Sequence, residues 1–123
     1  MTVSALLSLS DALSPNRFTQ AQKLQWLSEA EHAVFFDVIA THEGGPEAFP
    51  GYDETTPGET VLLAPAPYDA LYRWYLQAQM ELCHGEMTRY NNSMTLFNHA
   101  LLSFQNAYNR THRPKTSVTR FRA

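Results

Sequence analysis

Six residues carry the side chains most often found at reactive centres: the single cysteine, Cys83, and the five histidines His32, His42, His84, His99 and His112. Together they could ligate a transition metal, or build a thiolate nucleophile with an imidazole as its base. Their spacing supports neither. No two histidines stand four residues apart, as a helical metal site would need, and no second cysteine completes a zinc pair. Cys83 and His84 are neighbours, and on a helix neighbours point about 100° apart. Cys83 therefore reads as a small core residue rather than half of a catalytic pair. Thr41-His42-Glu43 reads as polar residues leading into a loop, not as a triad. Asp53-Glu54 offers two carboxylates to a loosely held cation, but such pairs are more often solvated turns. Gly44-Gly45 is followed by Pro46 and not by a helix start, so it is no phosphate loop. The residues predict no catalytic centre, no metal and no cofactor.

What remains is charge. The formal net charge of -3 conceals a division, since residues 1–88 hold three basic and twelve acidic residues. Residues 89–123 hold no acid and six bases: Arg89, Arg110, Arg113, Lys115, Arg120 and Arg122. An acidic body with a basic end can pair head to tail with copies of itself, or meet an acidic partner. With Tyr108 and Phe121, the terminal cations also resemble a nucleic-acid footprint. Against that stand an overall pI near 5.9 and the lack of a helix-turn-helix signature.

The elements that must position these groups are helical. From Tyr90 the large apolar residues Tyr90, Met94, Phe97, Leu101, Phe104 and Tyr108 recur at alternating spacings of four and three, one stripe along a helix. This heptad spacing predicts a nearly antiparallel partner. Tyr68, Leu71, Tyr75, Ala78 and Leu82 supply its stripe, with Tyr72, Leu76 and Met80 beside it, and His84-Gly85-Glu86 makes the turn. Pro67 suits the first helical position and Asp69 the first turn. Upstream, Thr2 caps a short helix over residues 2–13, ended by Ser14-Pro15. Thr19 and Gln22 form a capping box for a helix running to about Ala40. Leu24, Leu27, Val34 and Val38 make its stripe, and Trp26, Ala30, Ala33 and Phe36 leave it little polar surface. Such a helix is either central or covered by a neighbouring subunit.

Residues 42–66 break the pattern, with four of the five glycines, four of the seven prolines and five acids. A loop this long, against the usual length of about 4–6 residues, tends to be functional or disordered. Phe49 and Tyr52 suggest that it docks, and Thr60-Val61-Leu62-Leu63 is a candidate short strand in need of a partner. Residues 115–123 have nothing of their own to pair with, so they are either free or added to a partner as an extended strand. Asn91, Asn92 and Asn98 with Tyr72, Trp74, Tyr75 and Tyr90 give the hairpin an interface-like composition.

The predicted fold is thus all-α. It is a small bundle of about four helices over residues 1–114, with a long helical hairpin, an inserted acidic Gly/Pro-rich loop at 42–66 and an extended basic tail at 115–123. No apolar run reaches the roughly 20 residues of a membrane span. The start Met1-Thr-Val-Ser-Ala-Leu-Leu has no basic n-region of a signal peptide. A lone cysteine fits a reducing cytosol.

One likeness stands out. Residues Leu62-Leu63-Ala64-Pro65-Ala66-Pro67-Tyr68-Asp69-Ala70-Leu71-Tyr72, Tyr75-Leu76-Gln77-Ala78-Gln79, Gly85-Glu86-Met87-Thr88-Arg89-Tyr90-Asn91-Asn92-Ser93-Met94 and Phe97-Asn98 resemble small structural proteins of tailed bacteriophages, the head–tail connector or adaptor family. The likeness covers residues 19–114 and carries no enzymatic motif. It implies a helical bundle with a long loop and an extended C-terminal tail. The implied role is a virion subunit at the neck, in a homo-oligomeric ring commonly of about twelve copies, assembled in the bacterial cytoplasm. The implied partners are the portal protein above, stopper or terminator proteins of the tail below, and genomic DNA passing through the lumen without sequence-specific contact. On this reading the tail residues Arg110, Arg113, Lys115, Val118, Arg120, Phe121 and Arg122 bind the portal or a neighbouring subunit. The loop residues Phe49, Tyr52, Asp53, Glu54 and Glu59 meet the next ring or subunit. Another head-completion protein or a small helical DNA-binding module are the alternatives; a β-sandwich tail terminator disagrees with the helical pattern.

Overall fold

The computed structural model describes residues 1–115. Four helices are present: α1 (Val3–Leu13), α2 (Gln20–Asp37), α3 (Ala70–Cys83) and α4 (Met87–Thr111), with a 3₁₀ turn at Ile39–Thr41. The all-α expectation holds, and among the described residues there is no β-strand.

Local chemistry explains the helix starts. The Thr2 hydroxyl accepts the Ala5 N–H at 3.1 Å, and the Thr19–Gln22 capping box is complete in both directions. Gly85 turns the hairpin in the left-handed region at φ 72°, where a side chain would be strained. One predicted start is wrong. α3 begins at Ala70, not at Pro67, because the chain is still turning there: Tyr68 N–H donates to the Pro65 carbonyl at 2.8 Å. Asp69 occupies the cap position without a side-chain capping bond.

The central element is α3, which packs against α1, α2 and α4. Leu71, Tyr72, Leu76, Ala78 and Met80 are buried along it, so the residues beside the predicted stripe face protein, as does the stripe itself up to Ala78. α4 lies against α3 through Phe97 and Phe104, with Met94, Leu101 and Tyr108 half-covered. Tyr75 meets Phe97 edge-on at 5.1 Å and Tyr68 meets Phe104 at 5.8 Å. Leu82 and Cys83 are exposed, which overturns the placing of Cys83 in the core. The last turn of α3 carries them to the hairpin tip, next to Gly85.

The loop is folded onto the bundle. Leu62 and Ala64 are core residues, and residues 58–62 run beside the first residues of the chain. Val3 N–H donates to Thr60 O at 2.9 Å, Ser4 N–H to Gly58 O at 2.8 Å and Leu62 N–H to Met1 O at 2.9 Å. The candidate strand at 60–63 therefore finds its partner within the chain, but it amounts to one bridge, Thr2 with Val61. It goes no further because α1 begins at Val3 and leaves too little extended backbone to pair.

A second clasp joins residues 41–43 to the exit of α4. Glu43 N–H donates to Arg113 O at 2.8 Å and Lys115 N–H to Thr41 O at 3.0 Å, about the His42–Pro114 bridge. The first residue of the predicted tail thus has a partner in its own chain, contrary to expectation.

Candidate assembly surfaces

Three features bear on function: a buried carboxylate that fastens the loop, the outer face of α4, and the charged residues at the loop and chain end.

Glu31 is fully buried near the middle of α2. Its Oε2 accepts the Tyr52 hydroxyl at 2.7 Å and the Leu63 N–H at 2.9 Å, and its Oε1 accepts the Tyr72 hydroxyl. The Tyr72 oxygen in turn accepts the Ala64 N–H at 2.8 Å. A buried carboxylate is tolerated only with such partners. Burial pushes the Glu31 carboxyl above the usual carboxylate range, and the Tyr72, Leu63 and Tyr52 bonds pull against that rise. Burial, and then the Glu31 charge, raise the Tyr52 and Tyr72 phenols far above theirs, so both remain donors. Two distant parts of the loop are thereby tied to α2 and α3 through one side chain.

The predicted loop residues divide. Phe49 is half-buried against His32 (ring centroids 4.8 Å apart) and Tyr52 (4.9 Å), and Tyr52 is fastened to Glu31. Asp53 closes a local turn, accepting the Thr55 N–H at 2.8 Å, while Glu54 and Glu59 are exposed. Thr55's hydroxyl and the backbone around it hold the Asp53 carboxyl below its ordinary range, so it keeps its charge. Of the tail residues, Arg110, Arg113 and Lys115 are exposed; Val118, Arg120, Phe121 and Arg122 lie outside the described residues.

The face of α4 turned away from α3 is unusual. No Asp, Glu, Lys or Arg stands between Tyr90 and Asn109, although half of this stretch is solvent-exposed. Leu96 and Leu102 are 42% and 53% exposed, amid Asn91, Asn92, Thr95, Asn98, Ser103 and Asn106. A freely solvated helix surface is normally rich in Lys and Glu; an uncharged face with scattered leucines has the composition of a contact surface. No described helix is long and apolar enough to cross a membrane.

Sequence reasoning passed over two buried polar groups besides Glu31. His42 is buried and reaches the Val38 carbonyl through Nδ1 at 2.7 Å and the Asn109 side chain through Nε2, where polar loop residues were expected. The buried Lys23 donates to Asp11 at 2.8 Å and joins α2 to α1. The Lys23 bond holds the Asp11 carboxyl below its usual value. No group of three His, Cys, Asp or Glu side chains suited to a metal ion occurs among the described residues.

No protein-family model matches this chain, and neither a curated protein nor a solved structure does.

Proposed function

We propose that the chain is a non-enzymatic subunit of a bacteriophage head–tail connector ring. It would sit at the virion neck between portal and tail and line part of the channel for genomic DNA. The observation that carries this reading is the exposed, charge-free outer face of α4, joined to the connector-like residues quoted for 62–98. A closed ring needs two different surfaces on each subunit that meet around the circle. The α4 face is suited to be one; the side formed by α2 and the fastened loop, with its acidic rim, is suited to be the other. The cations Arg110, Arg113 and Lys115 stand exposed at the end of α4, where they can meet a portal or the adjoining subunit.

Electron microscopy of this protein co-expressed with the portal protein of the same viral genome tests the proposal. A ring of about twelve copies seated under the portal is the expected outcome. A portal that purifies bare, with this protein left monomeric, would overturn it. Salt-dependent binding of the monomer to duplex DNA would then favour the helical DNA-binding module, which the cations Arg110, Arg113 and Lys115 at the end of α4 also suit. Deleting residues 114–123 should remove the protein from assembled particles and leave its helical content intact by circular dichroism.

A further inference from the structure

A groove of about 660 Å³ runs along α2 from Ala21 to His32, beside loop residues Tyr52 to Thr55. Its floor is apolar, with Leu24 and the rings of His32 and Tyr52; Glu29, Asp53 and Glu54 stand on its rim, and no Lys or Arg lines it. The wall is held in place. Tyr52 N–H donates to Ser28 Oγ at 3.0 Å, and its hydroxyl is bound to Glu31. Glu29 is steadied by the Tyr75 hydroxyl at 2.8 Å. The result is a preformed trough, greasy below and negative above.

One stretch of this chain has the complementary chemistry. Residues 116–123, Thr-Ser-Val-Thr-Arg-Phe-Arg-Ala, contain two arginines, two large apolar residues and no acid. In an extended strand Arg120 and Arg122 fall on one side and Phe121 on the other. The cations can then meet the rim while the ring meets the floor. The root of this segment and the groove lie toward opposite ends of α2: residues 113–115 are clasped to 41–43 beyond its C-terminus, whereas the groove spans Ala21 to His32. Donor and acceptor surfaces set apart on one body join copies head to tail.

We propose that the α2–loop groove receives residues 116–123 of a second copy of this chain, in a β-free, strand-like mode of docking held by Arg120 and Arg122 against Glu29, Asp53 and Glu54. The proposal rests on the ring reading only in requiring that copies adjoin; it requires no portal.

Disulfide trapping in the full-length chain tests it. On a Cys83→Ser background, one preparation carries Gln25→Cys in the groove and another Thr119→Cys in the tail. Mixing and mild oxidation should give a covalent pair made of one chain of each kind. Asp53→Arg with Glu54→Arg should cut the yield at least fivefold, and Arg120→Glu with Arg122→Glu in the partner should restore it. A cross-link formed only within one chain when both cysteines are on the same molecule would show that the tail folds back on its own groove and would overturn the proposal. So would absence of the mixed pair. Light scattering on the same samples separates the two ideas: rings without the cross-link remove this groove as the tail's receptor and leave the connector reading standing, whereas a monomer removes both.

Discussion

The Tyr52 hydroxyl donates to the Glu31 carboxylate at 2.7 Å, a bond from the loop to a buried position near the middle of α2. Glu31 also holds Leu63 and Tyr72, so one buried side chain ties residues 52 and 63 of the loop to the bundle, beside the backbone clasp at 58–62. Replacing it with alanine strands two buried donors, Tyr72 Oη–H and Leu63 N–H. The expected loss is about 3 kcal/mol, against about 1 kcal/mol for Tyr52→Phe, which leaves the carboxylate two partners. Urea midpoints at unchanged slope measure both. Equal losses for the two variants would mean that Glu31 is not the hub.

The same carboxyl predicts a pH dependence. Its folded-state pKa is raised, chiefly by burial, so its contribution is fully present below the unfolded value of about 4.3 and is lost as pH rises through the folded value. Asp11 acts in the opposite sense: its pKa is lowered by Lys23, so its contribution is present above about 3.9 and lost as pH falls through the folded value. Asp11 is partly exposed, which makes its share the smaller. Stability from pH 4.5 upward should therefore fall more in the wild type than in Glu31→Gln. Thermal melts of both proteins over that interval check it, and parallel curves would rule it out.

The outer face of α4 can be charged without harm to the monomer. Leu96 and Leu102 are about half exposed, so Leu96→Asp and Leu102→Asp should each change stability by no more than about 0.5 kcal/mol. Both should abolish ring formation in sedimentation velocity. Intact rings from the double variant would free this face of any role in assembly.

Two glycines should fail for different reasons. A Cβ on Gly85 meets nothing within 4 Å, but the residue sits at φ 72°. Gly85→Ala should cost about 1 kcal/mol, and Gly85→Asn less, because asparagine tolerates that backbone region. A Cβ on Gly45 would come 2.5 Å from the Tyr108 hydroxyl and 2.8 Å from Ile39 Cγ2. Gly45→Ala should then cost about 1–3 kcal/mol, and Gly45→Asn more than Gly45→Ala. The reversed order of Ala and Asn at the two sites is what chemical denaturation should reveal.

Helix periodicity and capping carried most of the fold. The α4 stripe and the capping box at Thr19 are local signals, complete within a few residues, and they stand as expected. The buried polar groups are not local. Even so, Glu31 had left a trace: Leu24, Leu27, Val34 and Val38 keep the alternation of three and four only if position 31 belongs to the same stripe. A carboxylate on the buried line of a helix demands donors from elsewhere, and tyrosines were available. His42 and Lys23 left no such mark, since their partners Asn109 and Asp11 are brought to them by packing. Pro67 misled because a proline suits a turn as well as a first helical position, and only the Pro65–Tyr68 bond decides. Cys83 misled because its apolar neighbours belong to a hairpin tip, where Leu82 and Met87 are exposed as well. The composition of the outer α4 face was visible as asparagines, but its lack of cover needed the fold.

The two clasps interleave: residues 1–4 hold 58–62, while 41–43 hold 113–115. Neither half of the chain owns both sides of either one. Cut the backbone between Glu47 and Ala48, where both residues are exposed, and each fragment keeps one jaw of both clasps, with Tyr52 still reaching across to Glu31. A nicked molecule should accordingly travel as one particle through a sizing column, and two separately made pieces should find each other in solution, which makes this small bundle a natural split reporter.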